Sequence, residues 1–125
     1  MHRPIRLLFF SLAAALAAGC GSSNSSSTPA SPSTPTVTGP SVSIVAGASL
    51  LTSTAYSPGS LTVARGSSVT FVNNDNTSHT ATASGQFDTG LINPGSSKTV
   101  TLSSAGTVTY RCTIHPNMLG TIVVQ

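Results

Sequence analysis

From Ser41 onward the sequence predicts an all-β domain, and three observations carry that prediction. Short runs rich in Val, Thr, Ile and Leu are separated by breaks of Gly, Pro, Asn and Ser. Within the runs apolar and polar residues alternate with a period of two, as in Val69-Thr70-Phe71 and Thr99-Val100-Thr101-Leu102. No stretch of ordinary helical length shows apolar residues recurring at helical spacing. About seven short antiparallel strands with turns between them form a two-layer sandwich.

Strands are expected near Ser43–Val45, Leu61–Ala64, Ser68–Asn73, Ser78–Ala83, Ser97–Leu102, Thr107–Cys112 and Thr121–Val124. The turns between them are signalled by Ser57-Pro58-Gly59, Arg65-Gly66, Asn73 to Asn76, Asn93-Pro94-Gly95 and Ala105-Gly106. Alternation turns Val69 and Phe71 inward and Thr70 outward, and likewise Val100 and Leu102 against Thr99 and Thr101. In the sixth strand Val108, Tyr110 and Cys112 share the inner face, opposite Thr107, Thr109 and Arg111. Cys112 is therefore the last inward residue before a turn.

The first forty residues are of another kind. Two arginines in Met1 to Arg6, an apolar run from Leu7 to Ala18 and small residues after it make residues 1–19 a secretory signal peptide, too short for a stable membrane span. The boundary Leu16-Ala17-Ala18-Gly19-Cys20 resembles a bacterial lipobox, with its Leu one place further from the cysteine than is usual. That resemblance implies acylation of Cys20; the alternative is a soluble protein cut near Ala18. Residues 20–40 are almost wholly Ser, Thr, Pro, Gly, Asn and Ala, with too little apolar surface to offset the entropy of ordering them. They form a tether that spans roughly 3 Å per residue when extended. The domain itself is assigned to residues 41–125, exported to a bacterial cell envelope on its periplasmic or extracellular face.

A domain of that size buries only roughly 60% of its unfolded surface and benefits from a metal or tight sheet packing. The formal charge of +3 includes Arg3 and Arg6 of the signal peptide. Beyond it, Arg65, Lys98 and Arg111 face Asp75 and Asp88, a sparse balance that excludes the clustered cations needed to bind nucleic acid. A monomer is expected. Cys20 and Cys112 lie in such different contexts that a disulfide between them is not expected.

Cys112 needs another partner, and its surroundings offer one. Cys112, His115 and Met118 recur at three-residue intervals, placing a thiolate, an imidazole and a thioether in one short turn. Soft sulfur with imidazole suits copper, above all as two His and one Cys with a weak axial Met. Zinc is the rival metal, but structural zinc favours four Cys or His ligands and has little use for a thioether. A second His is required. His2 belongs to the signal peptide, so His79 remains, at a strand start after the polar loop Asn73 to Thr77 and on the face of Ala81 and Ala83. Singly, each residue has a plainer role: Cys112 as a small buried hydrophobe, His79 as a satisfied loop histidine, Met118 as core filler. Their joint spacing in an exported chain favours the metal.

These residues resemble the cupredoxins, the small blue copper proteins, and most closely the plastocyanin and amicyanin type. The resemblance covers nearly all of Leu61 to Val124: Val69 to Asp75 ahead of His79, Phe87-Asp88-Thr89-Gly90 and Pro94-Gly95, and Gly106 to Gly120 with the short Cys-x-x-His-x-x-Met loop. It implies a Greek-key β-sandwich of about seven to eight strands, with one type 1 copper held by His79, Cys112, His115 and Met118. It further implies that Thr80 bonds to backbone beside the copper cysteine and that a backbone amide near Asn74 approaches the sulfur. This chain has Ser78 and Thr80 where many relatives have Pro and Asn.

The leading function is one-electron transfer between Cu(I) and Cu(II), with redox proteins of the envelope as donors and acceptors. His115, Pro116 and Leu119, joined by Leu91, Ile92 and Pro94, are the expected apolar contact surface, of the small kind used in redox encounters. Copper binding and delivery in the envelope is the alternative, followed by a structural lipoprotein. Enzymatic activity is not expected, because the mature chain has two His and no second ligand set.

Overall fold

The computed structural model describes residues 39–125. The expected signal peptide, Cys20 and nearly all of the expected tether lie outside the described residues. Among the described residues nine strands form two sheets: β1 (Ser41–Ile44), β2 (Tyr56–Ser57), β3 (Ser60–Val63), β4 (Ser68–Asn73), β5 (Thr82–Ala83), β6 (Phe87–Asp88), β7 (Ser97–Thr101), β8 (Gly106–Arg111) and β9 (Leu119–Val124). One sheet runs β2-β1-β4-β7 and the other β3-β9-β8-β5-β6. The alternation read from the sequence is the alternation of burial: Val69, Phe71, Leu102, Val108 and Tyr110 are buried between the sheets, while Thr99, Thr101, Thr107, Thr109 and Arg111 are exposed.

Three expectations are corrected. The sheets are mixed, because β1 pairs parallel with β4 and β3 parallel with β9. A period of two orients side chains but carries no strand direction. The strand expected over Ser78–Ala83 is reduced to β5, with an isolated bridge between His79 and Ile92 ahead of it. The backbone between them is engaged elsewhere: Thr80 N–H points to Cys112 Sγ, Thr80 C=O accepts from the Tyr56 hydroxyl, and Ala81 N–H donates to Thr89 Oγ1. The two-residue strands β2 and β6 and a turn of 3-10 helix at Ala48–Leu50 carry no usable periodicity and go unseen in the sequence.

The sheets close on an aromatic cluster. Tyr110 packs nearly edge-on against Tyr56 at 4.8 Å and Phe71 at 5.3 Å, and lies 5.8 Å from Phe87. Such pairs contribute about 0.5–1.5 kcal/mol beyond the apolar area they bury. Gly120 faces Tyr110 across the β8–β9 ladder and leaves room for its ring. The cluster sits directly beneath the end where β8 delivers Cys112.

Candidate metal centre

Strand parity brings Cys112 into the core one residue past β8, where it is fully buried and free of any disulfide. The following turn is closed by Met118 N–H to His115 C=O at 3.0 Å and Cys112 N–H to Met118 C=O at 3.2 Å. These bonds fold Cys112, His115 and Met118 onto one another, with Met118 fully buried and His115 partly exposed. His79 comes just ahead of β5, the neighbour of β8 in the same sheet, fixed through both its backbone groups to Ile92 (3.1 and 2.7 Å) and fully buried.

Three donor atoms converge. His79 Nδ1 lies 3.1 Å from His115 Nδ1, and Cys112 Sγ lies 3.9 Å from the first and 3.8 Å from the second. The three atoms are close enough together that a single metal ion could be held by all of them. Two imidazoles, one cysteine sulfur and the buried Met118, which shares the turn of Cys112 and His115, form a donor set positioned for copper.

The surroundings of the sulfur are polar in a defined way. Thr80 N–H points at Sγ from 3.3 Å, and Thr80 Oγ1 accepts from Thr113 N–H at 2.8 Å. The Tyr56 hydroxyl, 2.6 Å from Thr80 C=O, holds that residue from below. Burial, then the nearby Cys112 and Tyr110, push the Tyr56 phenol well above the usual tyrosine range, so it stays a donor. Asn74 is placed differently from the expectation. Its N–H is taken by Ile44 C=O in the extension of the parallel β1–β4 pair, and its side chain donates to Ser43 outside the site. The amide that reaches the sulfur is that of Thr80.

Asp75 and Asn73 were not singled out from the sequence. Asn73 is buried and donates from Nδ2 to Thr77 and Ile92 carbonyls, shaping the loop into His79. Asp75 Oδ2 lies 2.8 Å from His79 Nε2. Desolvation opposes its charge, but donors from Gly47, His79, Asn76 and Thr77 outweigh that and hold its carboxyl well below the ordinary range. The available signal was an acidic residue four places before the only remaining His, in a loop otherwise uncharged.

Comparison with known proteins decides the family. The sequence model of the cupredoxin-like domain matches residues 12–124. The chain belongs to the cupredoxin-like family. A purple cupredoxin from Nitrosopumilus maritimus superposes with a TM-score of 0.64 at 24% identity, covering 69% of this chain and 99% of that one. The reduced Cu(I) form of an amicyanin variant superposes at 0.61, with 24% identity over 74% of this chain and 89% of its own. A second reduced amicyanin variant is 26% identical, with a TM-score of 0.59, over 71% and 85%. No curated protein matches the chain. This cupredoxin thus has the fold and the donor set of a copper protein.

Proposed function

We propose that this cupredoxin is a blue copper electron carrier of the bacterial cell envelope, held to a membrane through acylated Cys20. The observation that carries the copper chemistry is the triangle of His79 Nδ1, Cys112 Sγ and His115 Nδ1. A bound copper ion supplies one-electron redox capacity there. The chain's own part is to hold the donors still, and the burial of His79, Cys112 and Met118 favours retention of the ion over its delivery.

The route outward is through His115, the one partly exposed donor. Around its end of the sandwich stand the exposed large hydrophobics of the described residues, Leu50, Leu91, Ile114 and Leu119, with Pro116 and Pro94 also exposed. Leu50 belongs to this rim because its loop reaches the metal turn, Leu119 N–H donating to Thr52 C=O. Ile92, expected in the rim, is fully buried beside His79 instead, since its backbone bridge turns its side chain into the core. With Arg65, Lys98, Arg111 and Asp88 as scattered exposed charges, recognition by a redox partner rests on apolar contact and shows weak salt dependence.

The chain enters the domain at the other end. β1 starts at Ser41 beside Thr70 and runs parallel to β4 toward Asn73. Replacing Cys20 with Ser is expected to abolish lipid labelling and move the protein from the membrane to the soluble fraction.

Loading the protein with Cu(II) is expected to give an intense visible thiolate-to-copper band and a copper electron-spin signal, with the ion retained against a chelator through redox cycles. A colourless protein without bound copper overturns the proposal. Met118→Leu is expected to retain copper and raise the reduction potential, because a thioether that would favour the oxidised ion is removed. A lower potential shows that the Met118 thioether does not serve the ion in this way.

A further inference from the structure

We propose that Asp75 is a positioning residue for the metal centre: its carboxylate fixes the His79 ring with Nδ1 turned toward Cys112 and His115, and its buried negative charge favours the oxidised ion. The inference rests on the copper reading. It concerns how one ligand is made different from the other.

His79 and His115 offer the same atom but are held in unlike ways. His79 is fully buried, and its Nε2 lies 2.8 Å from Asp75 Oδ2 and 3.0 Å from Thr77 Oγ1. A proton on Nε2 donated to a carboxylate leaves the Nδ1 lone pair free for a metal, the arrangement by which outer carboxylates orient ligand histidines and raise their basicity. His115 is partly exposed, and no hydrogen bond to its Nε2 is formed among the described residues. One ligand is locked and the other is left to meet a partner.

Asp75 is itself immobilised from two directions. Its Oδ1 accepts Asn76 N–H at 2.8 Å and Gly47 N–H at 3.0 Å, the second from the β1–β2 loop on the far side in sequence. Gly47 reaches it from a left-handed conformation (φ 74°) that few other residues adopt without strain. The Thr77 hydroxyl stands 3.2 Å from Oδ2. With two backbone donors on one oxygen and a hydroxyl and an imidazole on the other, the site accepts hydrogen bonds on both sides and matches an ionised carboxylate. A full negative charge two bonds behind a ligand ring stabilises the doubly charged ion more than the singly charged one, because Coulomb energy scales with the charge product.

Asp75→Asn is the discriminating variant. Its one carbonyl oxygen satisfies the Gly47 and Asn76 amides, which turns its NH2 toward the Nε2–H of His79 and opposes two donors. Cu(II) affinity is expected to fall roughly 10–100-fold, as for other losses of an outer partner. Cu(I) affinity should fall less, and a tenfold difference between the two raises the one-electron potential by about 59 mV. A potential equal to that of the unsubstituted protein overturns the inference. Should the variant fail to fold, nitrogen NMR of the metal-free unsubstituted protein decides: the His79 proton is expected on Nε2, and a proton on Nδ1 overturns the proposal. The two readings fail separately. An unsubstituted protein that binds no copper refutes the carrier, whereas a blue protein with an unmoved Asp75→Asn potential refutes only the role of Asp75.

Discussion

Cys112→Ser is expected to abolish the visible band of the copper-loaded protein completely. The sulfur occupies one corner of the donor triangle, fully buried, 3.9 and 3.8 Å from the two imidazole nitrogens. A serine hydroxyl of similar shape leaves both His donors in place but is a hard, neutral oxygen where copper selects soft thiolate. Charge transfer from sulfur to metal has no source once the sulfur is gone. The Thr80 amide, 3.3 Å from Sγ, would still find an acceptor, so the fold should tolerate the change with little loss of stability. Copper affinity should fall by more than the roughly 10–100-fold that loss of an outer partner costs. Visible and electron-spin spectra with chelator competition measure both effects, and a band of undiminished intensity would refute Cys112 as the ligand.

Legibility in the sequence followed the physics of each element. Where β8 pairs continuously with β9, period-two parity places Val108, Tyr110 and then Cys112 on the inner face, and a local pattern suffices. The stretch from Ser78 defeats the same rule because the Thr80 and Ala81 backbones bond to a cysteine sulfur, a tyrosine hydroxyl and a threonine hydroxyl from distant segments. Strand direction was illegible for a related reason: β1 and β4 are partners across more than twenty residues, and nothing in either run encodes the parallel pairing. The metal-capable residues were visible because their chemistry is rare in so short a chain. Asp75, Tyr56 and Gly47 were not, since an acid in a polar loop, a core aromatic and a loop glycine are ordinary until tertiary structure brings them around His79 and Thr80. Ligand identity is local information, whereas ligand positioning is a property of the fold.

Gly120→Ala tests that dependence from below the site. A β-carbon at residue 120 would enter the space of the Tyr110 ring, 2.7 Å from Cε2 and within overlap of Cζ and the hydroxyl oxygen. The ring has nowhere to retreat, being packed against Tyr56, Phe71 and Phe87. Forced overpacking of a core costs about 1–3 kcal/mol, and the rigidity of an aromatic against backbone places this case at the upper end. For a domain of this size that lowers the melting temperature by roughly 10–20 °C. The effect should also reach the metal, because Tyr110 supports Tyr56, Tyr56 holds Thr80, and Thr80 faces the Cys112 sulfur. A shifted visible band in the surviving folded protein is therefore expected along with the lost stability. Trimming the ring with Tyr110→Leu in the same chain removes the overlap, so the double variant should be less destabilised than the sum of the two single changes, by about 1 kcal/mol or more. Simple additivity, or an undiminished melting temperature for Gly120→Ala, would mean that the close approach of β9 to Tyr110 does not set the packing beneath the copper ligands.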